Sequence, residues 1–190
     1  MKLEYFLYVG NAYPHKNLNR LIEAIVLVNK KSRQTIKLEV VSGRNAFIER
    51  INSAIKKYEA TEYVDLLGFV PDKKLKDLYK NSLAFVFPTL SEGFGLPGLE
   101  AMKSGTLVLA SDIPVLREVY DSYAIYFDPL NPQSIATAME KVIDLDSTSR
   151  LERIKNAKEF AKRYSWLKMA EQTLKIYEKV GKGGNSLRSG

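Results

Sequence analysis

Glu92 and Glu100 stand eight positions apart in the stretch Thr89-Leu90-Ser91-Glu92-Gly93-Phe94-Gly95-Leu96-Pro97-Gly98-Leu99-Glu100, with three glycines between them. An apolar run precedes the stretch and a helical pattern follows it, which puts Glu92 in a loop and Glu100 in the next helix. A glycine-rich loop that ends at a helix N-terminus offers bare backbone N–H groups to an anion. A carboxylate on each side can accept hydrogen bonds from hydroxyls carried by that anion. The chemistry implied is recognition of a sugar phosphate.

These residues need a frame, and the chain supplies one. Short β-rich runs at Tyr5–Val9, Lys37–Val41, Tyr63–Leu66, Leu83–Phe87, Thr106–Ala110 and Ala124–Phe127 alternate with amphipathic segments. Most of the runs are continuously apolar, as strands covered on both faces must be. Leu18, Leu21, Ile22, Ile25 and Val28 share one helical face behind a candidate N-cap at Asn17. Asp72 precedes Leu75, Leu78 and Tyr79 in the same way. Asn131-Pro132 supplies a cap and a first-turn proline ahead of Ile135, Ala138, Met139 and Val142. This alternation predicts an α/β fold, a doubly wound parallel sheet of about six strands with right-handed crossovers. Two helices, near 148–163 and 166–180, are expected to close it, the second capped by Ser165. Residues 1–180 read as one domain, and the glycine- and serine-rich Gly181 to Gly190 as a flexible tail.

In open α/β sheets ligands bind beyond the carboxyl ends of the strands. Five such ends carry glycine, proline or polar residues: Gly10 to Lys16, Ser42-Gly43-Arg44, Gly68-Phe69-Val70-Pro71, the Glu92–Glu100 stretch, and Ser111-Asp112-Ile113-Pro114. Lys16 is the preferred phosphate contact, with Arg44 a weaker candidate. Gly93 to Gly98 also matches the GxGxxG pattern of a dinucleotide site, with Asp112 in range. The five residues Pro88 to Glu92 between strand and glycines, and Pro97, argue against that reading, but an NAD-binding dehydrogenase domain stays open as an alternative.

The remaining features exclude more than they assign. The chain of 190 residues has 45% hydrophobic and 27% charged residues, the mix of a globular domain. It has no cysteine and a single histidine, His15, so thiolate metal sites, disulfides and multi-histidine centres cannot be built. No run approaches the ~18 apolar residues of a membrane span. Of the net charge of +7, much sits in residues 140–190, where twelve Lys/Arg face seven Asp/Glu. A solvated helix face accounts for this, and no nucleic-acid-binding motif accompanies it. Asp144-Leu145-Asp146 has the form of a metal-binding DxD but lies at a helix end with no strand before it. Trp166, Met169, Ala170 and Tyr177 form a stripe suited to core or partner-helix packing.

Four segments carry a family resemblance: YVGNAYPHKNLNRLIEA, LLGFVPDKKLKDLYKNS, FPTLSEGFGLPGLEAMKSGTLVLASDIPVLREV and YFDPLNPQSIATAM. The chain resembles the C-terminal, donor-binding half of retaining GT-B glycosyltransferases of family 4, and its YSWLKMAEQTLKIYEKV resembles their closing helix. The Glu-x7-Glu spacing is the specific element. The resemblance implies a Rossmann-like domain that is one half of a GT-B fold and acts as a hexosyltransferase on a GDP- or UDP-linked sugar. It implies Glu92 as the catalytic residue at the transferred sugar and Glu100 on the donor ribose. Gly10, Asn11 and Lys16 would line the diphosphate, Phe69 and Val70 the base, and the backbone of Phe94, Gly95 and Leu96 the sugar and pyrophosphate. No metal or other cofactor is implied. The family commonly places arginine where this chain has Asn11, so Arg44 or His15 would have to complete the positive clamp.

The SDIPVLREV and YPHKN segments are similar to mannosyltransferase-like members, which favours a GDP-mannose-type donor. The acceptor-binding N-terminal domain of such enzymes has no counterpart in the sequence. An excised domain or one subunit of a split enzyme is therefore expected, inactive alone, prone to self-association through the 166–180 stripe. The implied setting is cytoplasmic, with peripheral contact of the whole protein at the inner face of the membrane. A non-catalytic sugar-nucleotide-binding module is a further alternative.

Overall fold

Strand and helix alternate along the chain until the sheet is complete. The computed structural model describes residues 5–43 and 47–184, without the side chains of 182–184. The strands are β1 (Tyr5–Val9), β2 (Lys37–Val41), β3 (Val64–Gly68), β4 (Phe85–Phe87), β5 (Val108–Ser111) and β6 (Ile125–Phe127). The helices are α1 (Leu18–Lys31), α2 (Ile48–Lys57), α3 (Asp72–Asn81), α4 (Leu96–Ser104), α5 (Pro114–Tyr120), α6 (Pro132–Ile143), α7 (Ser147–Ala161) and α8 (Trp166–Gly184). The sheet order is β3-β2-β1-β4-β5-β6 and every pairing is parallel. This is the doubly wound arrangement expected from the sequence, with its topological switch between β1 and β4.

Side-chain alternation divides the core. On β1, Phe6 and Tyr8 enter one layer with α1 and α6, while Leu7 enters the other with α4, α5 and α7. A parallel sheet must be apolar on both faces, which is why these strands read as unbroken hydrophobic runs. Helix α1 packs on α6 across one face, and α4 on α7 across the other.

Several boundaries differ from the sequence reading. β3 runs to Gly68, β4 begins at Phe85, β5 ends at Ser111, and α8 extends to Gly184 into the expected tail. Helices α2 and α5 fill two of the expected intervals between strands without a cap or apolar stripe singled out in the sequence, although Ile51, Ala54 and Ile55 of α2 are buried at helical spacing. Asn131 and Asp146 cap α6 and α7 through their side chains, and the Ser165 hydroxyl accepts from the Lys168 N–H at the start of α8. Asp146 thus accounts for the DxD segment: its carboxylate accepts from the Thr148 and Ser149 N–H groups, and the Ser149 side chain together with these N–H groups holds it below the usual carboxylate range. Asn17 precedes α1 but makes no side-chain cap. The Trp166–Tyr177 stripe is exposed rather than packed in the core. Among the described residues no helix is long and apolar enough to cross a membrane.

Candidate functional site

The loops after β1 and β4 meet at the switch point. After β1, Tyr8 sends its buried hydroxyl to the Asn11 carbonyl at 2.7 Å, and the Gly10 N–H donates to the Val41 carbonyl of β2. Burial, reinforced by the Glu92 charge, pushes the Tyr8 hydroxyl well above its ordinary pKa, so it stays a donor. The Asn11 side-chain oxygen turns back to the Tyr13 N–H, closing an Asx-type turn. A short 3-10 turn over Pro14–Lys16 then leads into α1.

The second loop is tied to this turn at several points. The His15 carbonyl accepts from the Leu90 N–H at 2.7 Å, with the Thr89 hydroxyl 3.3 Å away. Lys16 Nζ donates to Glu92 Oε2, and both side chains are largely covered, 13% and 19% exposed. The other Glu92 oxygen accepts from the Gly93 N–H, and the Lys16 ammonium lies 5.4 Å from the centre of the Phe87 ring. The structure thus brings Lys16 and Glu92, 76 residues apart, into direct contact beside a helix N-terminus. The His15 ring stacks on Tyr13. Arg44 lies outside the described residues.

That N-terminus is held by a tyrosine. Gly95 precedes α4 with φ of 94°, a conformation that strains any residue with a Cβ. The Tyr120 hydroxyl donates to the Gly95 carbonyl, and Gly98 leaves the space that the Tyr120 ring occupies. Phe94 and Leu96 are part-exposed on either side, Phe94 resting edge-on against Tyr164 at 5.7 Å. Pro97 brings no N–H to this first turn and the Gly98 N–H donates to the Gly95 carbonyl at 3.2 Å, which leaves the Leu96 N–H as the donor for an anion that the helix dipole favours there.

Glu100 lies one turn further along α4, on the side facing α3. Partial burial raises its carboxyl pKa, Asp72 at the start of α3 pushes in the same direction, and Lys103 opposes both. In the loop after β3, Val70 is buried in the core layer that holds Leu99 of α4, while Phe69 is 82% exposed. On the α8 side, a groove of about 400 Å³ continues from Phe94, Leu96 and Glu100 to Trp166 and Met169. Two residues that sequence reasoning did not place in the site are Asn17 and Tyr120. Both bond to loop carbonyls far away in the chain, and local sequence carries no signal for that.

Residues 1–160 match the family described as glycosyl transferases group 1. Over 151 residues the chain is 37% identical to the O-antigen chain mannosyltransferase RfbU of Salmonella typhimurium, covering 78% of this chain and 41% of that protein. Over 175 residues it is 31% identical to O-antigen chain mannosyltransferase B of Escherichia coli, covering 92% and 45% respectively. It therefore spans less than half the length of these two relatives. The sucrose-phosphate synthase of Thermosynechococcus elongatus superposes with a TM-score of 0.84 at 24% identity, over 96% of this chain and 46% of that one, a likeness of fold. The dinucleotide alternative falls away. Its fingerprint belongs on the first strand-to-helix turn, whereas the glycines here follow β4 after five intervening residues.

Proposed function

The chain belongs to the glycosyl transferases of group 1, and from that premise we propose that it binds a nucleoside-diphosphate sugar along the carboxyl edge of β1 and β4 and supports retaining transfer of the hexosyl group. The observation that carries this reading is the Lys16–Glu92 pair beside the N-terminus of α4. A sugar nucleotide has its own leaving group, so the protein's task is to orient it and to stabilise the charges that develop. Lys16 and the positive end of the α4 dipole, with the Leu96 N–H, neutralise the departing diphosphate. Glu92 accepts from hydroxyls of the transferred sugar and stabilises positive charge at its reacting carbon. Glu100 accepts from the ribose hydroxyls, and the exposed Phe69 flanks the base. Lys16 serves as the cation, so this reading calls on no metal.

In the free protein Lys16 and Glu92 neutralise each other, and the donor must part them. The diphosphate takes the ammonium and the sugar hydroxyls take the carboxylate. Each ion exchanges one partner for another, so neither is left buried and unpaired.

Mannose is the favoured sugar, GDP the favoured carrier, because both named relatives are mannosyltransferases. The acceptor site belongs to the part of the relatives' length that this chain does not span, so the chain alone binds donor and transfers nothing. The exposed apolar and basic side chains of α8 serve the contact with that part and, in the whole protein, a peripheral contact with the cytoplasmic face of the membrane. Calorimetric titration with GDP-mannose, GDP-glucose, UDP-glucose and NAD tests the donor assignment. GDP-mannose is expected to bind and NAD to give no heat. Tight NAD binding without nucleotide-sugar binding would overturn it.

A further inference from the structure

Asn17 is buried, 4% exposed, and each of its hydrogen-bonding groups is engaged. Its amide nitrogen donates to the Pro88 carbonyl at 3.0 Å and to the Pro129 carbonyl at 2.7 Å. Its amide oxygen accepts from Arg20 Nη1 at 2.8 Å. Its backbone N–H closes the turn onto Pro14, and its carbonyl accepts from Leu21. The residue has φ of 59° and ψ of 30°, left-handed values that asparagine tolerates better than most side chains.

Two of the three segments joined here, the β1 and β4 loops, bound the site. Asn17 directly follows Lys16. Pro88 begins the loop that carries Glu92, and Pro129 lies in the loop after β6. Prolines donate no backbone N–H, and both carbonyls are met by a side chain that offers two N–H donors and an acceptor at once, a set found only in asparagine and glutamine. Aspartate would replace both donors with acceptors, and glycine would keep the backbone but leave the two carbonyls and Arg20 without this partner.

We propose that Asn17 is a positioning residue for the donor site, clamping the β1 and β4 loops together so that Lys16 and Glu92 face the same diphosphate-linked sugar. It touches no ligand itself. The clamp acts through Lys16, so the proposal rests on the donor-site reading above.

Two measurements on the chain as it stands separate the clamp from that reading. The first needs no ligand: amide hydrogen exchange in wild type, Asn17→Gly and Asn17→Asp. Exchange at Leu90, whose N–H bonds the His15 carbonyl, is expected to rise at least roughly tenfold in both variants, the scale of one or two lost hydrogen bonds. Exchange at Leu109 in β5 is expected to hold to within the change in global stability. Leu90 exchange no faster than that of Leu109 would overturn the clamp, whatever the protein binds.

The second is a binding cycle with GDP and GMP. Asn17→Gly should weaken GDP roughly tenfold and GMP much less, and should cost little further in a Lys16→Met background, because the two residues act as a unit. Equal losses for GDP and GMP, or fully multiplicative losses in the double variant, would show a general structural role and overturn the proposal. If GDP, UDP and their sugars all fail to bind wild type, the donor-site reading fails. The proposal that rests on it fails with it, even if the exchange result shows that the clamp exists. If Asn17→Gly does not fold, the isosteric Asn17→Asp decides both measurements.

Discussion

The Tyr120 ring fills the space that Gly98 leaves, its hydroxyl reaching past the helix to the Gly95 carbonyl. A Cβ built on Gly98 would stand 2.3 Å from the Tyr120 hydroxyl and 2.4 Å from the ring carbon that bears it. Two of the three glycines between Glu92 and Glu100 are therefore spoken for by one tyrosine on α5. Gly95 supplies the left-handed turn and Gly98 the room. Gly98→Ala is expected to destabilise the fold by about 1–3 kcal/mol through overpacking, despite alanine's better helix propensity. Tyr120→Phe keeps the ring but removes one of the two donors to the Gly95 carbonyl, which the Gly98 N–H still bonds, at a cost of about 0.5–1.5 kcal/mol. Urea unfolding of both variants checks this. A stability gain in Gly98→Ala would mean that the α4–α5 contact is looser than described.

The Lys16–Glu92 pair makes a prediction that separates the two halves of the donor. On the proposed reading Glu92→Gln removes the carboxylate that would hold the sugar and frees Lys16 for phosphate. GDP itself should bind at least as well as to wild type, while the extra affinity contributed by the sugar of GDP-mannose is lost. Lys16→Met should act the other way and weaken both, by about 1.5–3 kcal/mol for a charge-assisted contact. Calorimetry with the two ligands on the two variants gives the pattern. A Glu92→Gln variant that loses GDP and GDP-mannose equally would place Glu92 on the nucleotide.

Glu100 ties the site to pH. Its carboxyl pKa is raised in the folded protein by burial and by Asp72, against the opposing charge of Lys103. For an acid shifted upward, the folded state holds more protons than the unfolded state in the window just above the ordinary glutamate range. Stability therefore falls as pH rises through that window, and Glu100→Gln should remove that component of the slope. On the proposed reading binding has the opposite sign, since the ribose hydroxyls would donate to the ionised carboxylate. Donor affinity should drop on acidification at a pH above that of an unperturbed glutamate, and Glu100→Gln should bind more weakly with a flatter profile. Urea unfolding across the acidic range tests the stability statement, and titrations of GDP-mannose over the same range test the binding one.

What was legible in the sequence follows from where the physics is local. The strands of a two-sided parallel sheet are apolar runs, so all six could be read from composition alone. Caps such as Asn131 and Ser165 are also local, since donor and acceptor lie within three residues. Asn17 has the same local signature and does something else. Its amide is drawn to carbonyls 71 and 112 residues away, and tertiary structure overrides the cap. Tyr120 is equally silent, because nothing in the α5 segment refers to glycines 25 residues earlier. Helix α2 carried a readable signal in Ile51, Ala54 and Ile55, but it sits among polar residues with no cap bond to mark its start. The Lys16–Glu92 contact was legible only as two strand-end loops converging, and the pairing itself required the fold.

The exposed face of α8 yields the last prediction. Trp166, Met169, Leu174 and Tyr177 lie in the open along a helix that also exposes Leu167, Ile176 and Val180 between its lysines and glutamates. An apolar stripe of that size on a free surface marks a contact site, and the relatives extend well beyond the length matched here. If the remaining part of such a protein seats against α8, adding it to this chain should bury the indole of Trp166. That tryptophan is the only one in the sequence, so its fluorescence reports on α8 without interference, provided the added part is made free of tryptophan. Emission should shift to the blue on joining, and any concentration-dependent self-association of the chain alone should disappear. Leu174→Ala should weaken the joining without affecting GDP-mannose binding, because Leu174 is exposed on α8 and does not line the groove that holds Glu100. An unshifted emission in the joined protein would mean that α8 stays free for another surface, and vesicles of anionic lipid would be the next partner to titrate.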